Sequence, residues 1–246
     1  MKTLKVLFLC SAAFLLTLFQ SPAQELLSLN PVNPDLDAEQ VTVSYSGGTF
    51  NAGGASPPVL LGYTDPNGNS WGESGSGSFV VTANINSSGN LTSGSLTVNA
   101  FLAENDPASL AVNTVYVPTL LTATLMTGLS GSPPGSAPVG SAWDYANYYD
   151  DPSDPSSFEG TQFAFSFTVT GGILAGDYGG IGSSGVIELF PNGDDPFYLT
   201  TSYSNGGAYG ACDIFPVPEP SSNLLFLIGG AVWLVARRCH RSTLSV

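Results

Sequence analysis

The sequence predicts an all-β protein: a single β-sandwich, jelly-roll-like or immunoglobulin-like, between a signal peptide and one short C-terminal transmembrane helix. Short runs of Val, Thr, Phe, Tyr and Leu alternate with clusters of Gly, Ser, Asn, Asp and Pro. Between the apolar segments at the two ends, we find no long apolar repeat with the 3.6-residue period of a helix. The stretch between the end segments is long enough to bury one hydrophobic core.

The N-terminal segment predicts export. Two lysines precede an apolar run over residues 6–19, and Ser21 and Ala23 place small residues where signal peptidase reads them. We therefore predict a signal peptide at residues 1–23, removed by signal peptidase, and an acidic β-rich exported domain at residues 24–215.

The clearest strand pair in this domain is a hairpin. Residues 79–86 alternate apolar and polar side chains, residues 87–90 are Ser-Ser-Gly-Asn, and residues 91–102 return. Gly and Asn tolerate positive φ, so the middle segment predicts a turn. The side chains expected on one face of the first strand are Phe79, Val81, Ala83 and Ile85.

Similar alternation predicts further strands at intervals that suit a sandwich or barrel. The predicted strands cover residues 41–45, 114–117, 119–125, 162–169, 185–190 and 197–201. In the strand over residues 162–169, Phe163, Phe165, Phe167 and Val169 share one face. Large apolar residues in such a register predict a face packed on the core.

The charge distribution excludes several classes of function. All five basic residues and the single histidine lie in residues 1–23 or 237–246, so residues 24–215 carry 18 acidic and no basic residues, a formal charge of −18. This field repels nucleic acid, so we expect no nucleic-acid partner. A domain without imidazole, amine or guanidinium lacks the usual catalytic groups. We predict a protein that is not an enzyme and needs no cofactor.

The exported domain contains one cysteine, Cys212. It cannot form a disulfide within that domain, so the fold must depend on its hydrophobic core. Two interpretations stay open: a thiol that pairs between chains, or a small buried residue near the last strand. We favour the second because free cysteine is among the most buried residue types.

The C-terminal segment has three parts. Val217, Pro218, Glu219 and Pro220 form an extended stretch, since proline does not fit a helix interior. An apolar run follows, and then Arg237, Arg238 and Arg241 form a basic stop of the kind that stays cytoplasmic. A run over residues 224–236 spans only about 20 Å as a helix, short of a hydrocarbon core of about 30 Å, which indicates a temporary anchor.

This order resembles the PEP-CTERM sorting signal, here residues 216–246, with its motif at 217–220, a transmembrane segment at 221–236 and a basic tail at 237–246. The resemblance implies processing by an exosortase. It also implies an inner-membrane intermediate with a transient membrane anchor, followed by the cell surface or extracellular matrix.

Proteins with such tails are associated with exopolysaccharide and biofilm, so the resemblance implies a structural or adhesive matrix component with extracellular polysaccharide as a partner. The alternative is a carbohydrate-binding module or lectin-like adhesin. A glycosidase that uses two carboxylates is a more distant alternative.

Two sets of residues are candidates for ligand contact. Asp65, Asn67 and Asn69 place oxygen side chains at alternating positions, the spacing of calcium loops, and indicate a Ca²⁺ site. Trp143, Tyr145 and Tyr148 lie in a segment predicted to be a loop, beside Asp and Asn residues. Aromatic rings stack on the apolar faces of sugars while amides and carboxylates bind hydroxyl groups, so these three residues indicate carbohydrate contact.

Overall fold

The computed structural model describes residues 25–73, 77–100, 102–104, 114–115, 119–129, 134–193, 195–205 and 210–217. The predicted signal peptide, transmembrane segment and basic tail lie outside these residues. The chain divides into two units, Met1–Pro216 and Val217–Val246, and Val217 is the one described residue of the second. None of the described helices is long and apolar enough to cross a membrane.

The described part of the first unit consists of strands and three short 3-10 helices. The strands are β1 (Asp35–Ser46), β2 (Thr49–Thr64), β3 (Ser70–Glu73), β4 (Gly77–Ile85), β5 (Asn90–Asn99), β6 (Leu102–Glu104), β7 (Thr114–Val115), β8 (Leu121–Leu125), β9 (Gly128–Leu129), β10 (Trp143–Tyr149), β11 (Phe158–Gly171), β12 (Ser184–Phe190), β13 (Tyr203–Ser204) and β14 (Gly210–Pro216). The 3-10 helices are Leu26–Ser28, Pro155–Ser157 and Ile173–Gly176.

Eight of these strands form a closed antiparallel barrel, so the prediction of a β-sandwich is wrong. The ring runs β1–β14–β12–β11–β8–β5–β4–β2, and β2 pairs back onto β1. A sandwich consists of two sheets that each keep free edges, whereas here β1 is paired along both of its sides. The remaining strands add to the ring: β3, β6 and β7 extend from β2, β9 pairs with β5, β10 with β11, and β13 with β1.

The strand that closes the ring, β2, has a strand signal that glycines and prolines interrupt in its middle. It contains Gly53, Gly54, Pro57 and Pro58, residues that weaken or interrupt strands. Along one edge it pairs with β1, and along the other it pairs with β4 up to Gly54 and again at Val59, where the register shifts. Beyond that point the same edge pairs with β3. Because of this irregular segment, the same edge of β2 pairs first with β4 and then with β3.

The predicted hairpin is confirmed as β4 and β5. Asn86 Oδ1 accepts hydrogen bonds from the backbone N–H groups of Ser88 and Asn90, each at 3.0 Å, and Gly89 has a φ of 80°. The predicted apolar face of β4 is buried. The pairing over Ser78–Ile85 sets the register of β5 against β4.

The predicted stripe on β11 is also confirmed, and it lies inside the barrel. Phe163, Phe165 and Phe167 are fully buried. The ring of Phe50, from the opposite wall, lies 5.0 Å from the centroid of Phe163 and 4.9 Å from that of Phe165. Phe167 lies across its strand partner Gly185, where a Cβ atom would overlap the ring. Side chains thus fill the barrel interior, as expected of an eight-stranded ring.

Two local predictions are wrong. Residues 197–201 do not form a strand, although Phe197 is fully buried. The Asn147 side chain holds this segment: its Nδ2 donates to Phe197 O and its Oδ1 accepts from Phe197 N, both at 3.0 Å. The Asn147 side chain thereby supplies the two backbone hydrogen bonds that a paired strand would otherwise form with Phe197. The segment around Trp143 was predicted to be a loop and instead forms β10, paired with β11.

The first described residues form a strap across β10 and β11. We call residues 25–29 the N-terminal strap. Glu25 forms an isolated β-bridge with Pro138, and Leu26 N donates to Ala137 O at 2.7 Å. The Leu26 side chain is fully buried. Cleavage after Ala23, as predicted from the sequence, would leave the whole strap in the mature protein.

We expect Leu26→Ala to lower the free energy of unfolding by about 2–5 kcal/mol, because it removes a fully buried side chain and leaves a cavity under the strap. Urea denaturation of the full chain measures this change. The control is Ile181→Ala, since Ile181 is 76% exposed and its truncation should change the free energy by less than about 0.5 kcal/mol. Equal effects of the two substitutions would contradict a structural role for the strap.

Candidate functional site

The predicted calcium residues lie in the turn between β2 and β3. Asp65 Oδ1 accepts hydrogen bonds from the N–H groups of Asn67 and Asn69, and Asp65 Oδ2 accepts from Asn69 Nδ2, all at 2.8 Å. The bonds from Asn69 and Asn67 lower the pKa of Asp65 below its usual value. Both carboxylate oxygens therefore hold the turn. Across the described residues, no group of three or more His, Cys, Asp or Glu is arranged to hold a metal ion. Calcium stays a prediction.

Two of the predicted carbohydrate residues pack on the hydrophobic core. Trp143 is fully buried, its ring stacks on Phe165 with centroids 5.8 Å apart, and its Nε1 donates to Gly89 O at 3.0 Å. Tyr145 is partly buried and packs edge-to-face on Phe197, at 4.8 Å between centroids. A buried indole offers no face to a sugar, so the structure gives Trp143 a packing role.

Tyr148 is the predicted carbohydrate residue with an exposed ring, at 46% exposure. Its hydroxyl donates to Gln162 Oε1 at 2.7 Å. A second exposed ring, Tyr198, is 50% exposed and lies beside Tyr149, which packs edge-to-face on Phe158 at 5.5 Å. The sequence analysis did not associate Tyr198 with this region, because it lies 50 residues along the chain from Tyr148 and only the fold brings the segments together.

A group of acidic side chains that sequence reasoning did not single out lies on the outer wall of the barrel. Asp37 on β1 is the strand partner of Asp213 on β14, and Asp213 is the strand partner of Glu188 on β12. Asp35 lies two residues before Asp37 and therefore on the same face of β1. We call these four residues the carboxyl row. It crosses three adjacent strands of the ring.

Burial and incomplete hydrogen bonding distinguish two members of the carboxyl row. Asp35 is partly buried and its Oδ1 atom has no hydrogen-bond partner, whereas Asp37 is exposed. Glu188 is only 2% exposed; its Oε2 accepts from Gln162 Nε2 at 3.4 Å, and its buried Oε1 has no hydrogen-bond partner. Asp35 and Glu188 are therefore desolvated acids with incomplete hydrogen bonding.

The electrostatic environment raises the pKa values of three of these acids. Burial and then repulsion by Asp37 and Asp213 raise the pKa of Asp35 to about 7. Burial and then repulsion by Asp213 raise that of Glu188 to about 8. Burial and the neighbouring Asp37 raise the pKa of Asp213 to about 6. No lysine, arginine or histidine is found among the described residues, so no cation opposes these shifts.

A chain of polar contacts joins the carboxyl row to the exposed ring of Tyr148. Tyr148 donates to Gln162 Oε1, and Gln162 Nε2 lies 3.4 Å from Glu188 Oε2 and 3.5 Å from Leu27 O in the N-terminal strap. Gln162 thus contacts the strap, the exposed Tyr148 and Glu188, the most buried acid of the carboxyl row. The buried acids can therefore retain protons near neutral pH, and hydrogen bonds tie Glu188 through Gln162 to the N-terminal strap and to Tyr148.

The sequence contained a partial signal for the carboxyl row. Asp35, Asp37 and Glu39 alternate with apolar residues at the start of β1, and Glu188 is the one charged residue in the predicted strand over residues 185–190. An acid within an otherwise apolar strand is unusual and marks a position for inspection. The alignment across strands was not predictable, because it depends on pairing between segments about 175 residues apart.

The cysteine of the exported domain lies on β14. Cys212 is fully buried and unpaired, and its strand partners are Ala38 on β1 and Leu189 on β12. Burial, followed by repulsion from Asp213 and other nearby acids, raises the pKa of its thiol well above the usual value. The interpretation as a small buried residue on the last strand is confirmed.

The family model for the PEP-CTERM protein-sorting motif matches residues 216–242. The predicted resemblance is thereby confirmed, and the chain carries this motif. An exosortase recognises such motifs, which implies export and a cell-surface or extracellular location. Neither a curated protein nor a solved structure matches the chain.

We expect the Cys212 thiol to be unreactive toward Ellman's reagent in the folded protein at pH 8, because it is fully buried and its pKa is raised. In denaturing urea the same thiol should react at once. The double variant Cys10→Ser/Cys239→Ser, which removes the other two cysteines of the chain, isolates the signal of Cys212 for this measurement. Rapid labelling of the native variant would contradict the burial of Cys212.

Proposed function

We propose that the chain is a non-enzymatic surface or extracellular-matrix protein that an exosortase processes and that associates with exopolysaccharide. The sorting motif at residues 216–242 is the observation that carries this proposal. It begins at Pro216, the last residue of β14. Cleavage within residues 217–220 would therefore release the barrel with all of its described strands.

The outer wall of the barrel supports a role in a hydrated matrix. On the exposed face of β4 and β5, the Thr82 and Ser95 hydroxyls lie 3.1 Å apart, and Asn84 Nδ2 donates to Ser93 Oγ at 2.9 Å. These side chains are polar and uncharged. Hydroxyl and amide groups exchange hydrogen bonds readily with water and with sugar hydroxyls, which suits a surface in contact with polysaccharide.

The residue types available to the exported domain favour the non-enzymatic reading. Residues 24–215 provide no histidine, lysine or arginine. The carboxyl row offers acids with raised pKa values, as a glycosidase requires of its general acid. Glu188, however, is 2% exposed, so a glycan on the surface would not reach it. A glycosidase therefore stays the more distant alternative.

The carbohydrate-binding alternative rests on exposed aromatic rings. Tyr148 and Tyr198 each expose about half of their surface, and Tyr148 has a hydroxyl fixed by Gln162. Rings held in place in this way can stack on sugars with little loss of conformational entropy. Saturable binding of a defined glycan would distinguish a lectin from a matrix protein.

We expect intact-mass measurement and terminal sequencing of the protein from its producing cells to show loss of residues 1–23 and a new C-terminus within residues 217–220. The variant Glu219→Ala should instead accumulate with its C-terminus at Val246, because it alters the sorting motif. Ser222→Ala, just beyond the motif, is the control and should be processed normally. An unprocessed C-terminus in the natural protein would overturn the proposal.

For the carbohydrate-binding alternative, we expect Tyr148→Ala to weaken binding to purified exopolysaccharide by about 3–10-fold, the effect of losing one stacked ring. Tyr148→Phe keeps the ring and should bind within about twofold of the natural protein if stacking dominates. Surface plasmon resonance on immobilised polysaccharide measures both. Identical binding by all three proteins would remove Tyr148 from the contact surface.

A further inference from the structure

The carboxyl row has features that a passive surface does not need. Asp37, Asp213 and Glu188 are aligned across three neighbouring strands of the closed ring. Two buried carboxyl oxygens, Asp35 Oδ1 and Glu188 Oε1, have no hydrogen-bond partner. Buried acids that lack both cations and full hydrogen bonding destabilise a fold when they ionise, because the charge loses its hydration.

We infer that the carboxyl row is a pH-sensitive element, which keeps the outer wall of the barrel closed while Glu188 and Asp35 are protonated and loosens it when they ionise. Asp213 lies between Asp37 and Glu188 in the strand register, so ionisation concentrates negative charge where β1, β14 and β12 meet. Since Glu188 is almost fully covered, its ionisation draws water under the neighbouring Gln162 and the N-terminal strap. This inference does not depend on the proposed function.

The groups that face the row reinforce the effect. From β1, β14 and β12 come the four acids themselves, with Glu39 further along β1. Tyr178 lies near Asp35, and Tyr148, which lies near Asp144 and Glu25, also lies near Glu188. The nearby thiol is that of Cys212. Each of these groups is neutral or negative at neutral pH, so none neutralises an ionised row.

The sign of the pH dependence follows from proton linkage. The ordinary pKa values are 3.8 for Asp and 4.5 for Glu, whereas in the fold Asp213, Asp35 and Glu188 have values of about 6, 7 and 8. Between these limits the folded protein holds protons that the unfolded chain has released. Stability therefore falls as pH rises from about 4 to about 8 and changes little from these groups outside that window.

The test compares thermal unfolding of the full chain at pH 5.0 and pH 8.5, at fixed ionic strength and with EDTA. We expect the Tm to be lower at pH 8.5 by about 5 °C or more. Glu188→Gln and Asp213→Asn keep the side-chain shape but cannot ionise, and each should reduce this difference by about a third or more. The matched control is Asp65→Asn, outside the row, which should keep the full difference.

A second measurement does not depend on the variants folding. In the natural chain, carboxyl ¹³C NMR resonances followed against pH should show Glu and Asp groups that titrate above pH 6. Amide hydrogen exchange at Leu26, whose N–H bonds to Ala137 O, should accelerate over the same range. The inference is overturned if the Tm is equal at both pH values, or if no carboxyl group titrates above pH 5.

A cation site is the competing explanation, and the same experiment identifies it. CaCl₂ in place of EDTA at pH 8.5 should leave the Tm difference in place if protonation of the row is what stabilises the fold. A calcium-dependent rise in Tm that Glu188→Gln abolishes and Asp65→Asn does not would mean that the row binds cations, and the inference of a pH-sensitive element would fail.

Discussion

The pairing of β1 with β2 on one side and with β14 on the other is the constraint on which the rest of the structure depends. It converts a row of antiparallel strands into a ring and so encloses the aromatic interior around Phe50, Phe163 and Phe165. Closure removes free edges from the ring, and exposed strand edges promote aggregation. With no disulfide available to the exported domain, this closed and filled core has to supply the stability.

Closure also creates the electrostatic problem on the outer wall. Because β14 pairs between β1 and β12, acids at matching positions of three strands become neighbours. Elsewhere in proteins a lysine or arginine would neutralise such a group, but residues 24–215 contain none. Without a basic residue nearby, these acids are neutralised by retaining their protons, and the raised pKa values of Asp35, Asp213 and Glu188 reflect this.

The exported domain and its sorting segment have different roles. The motif at residues 216–242 accounts for export and processing, and its chemistry is contained in a short linear sequence. The barrel accounts for what is delivered: a filled core, a polar uncharged face on β4 and β5, and exposed rings at Tyr148 and Tyr198. The proposed contact with polysaccharide rests on this polar face and these exposed rings.

The sequence by itself determined the features that are local along the chain. Alternation with period two fixed the β4–β5 hairpin and the inward stripe of β11, and a short linear pattern identified the sorting motif. Only the tertiary structure decided what depends on register between distant segments. It chose a barrel over a sandwich through β2, whose Gly and Pro residues hide its strand character, and it buried Trp143 by pairing β10 with β11. It also aligned Asp37, Asp213 and Glu188, because an alternating pattern specifies which face a side chain takes but not which strand lies beside it.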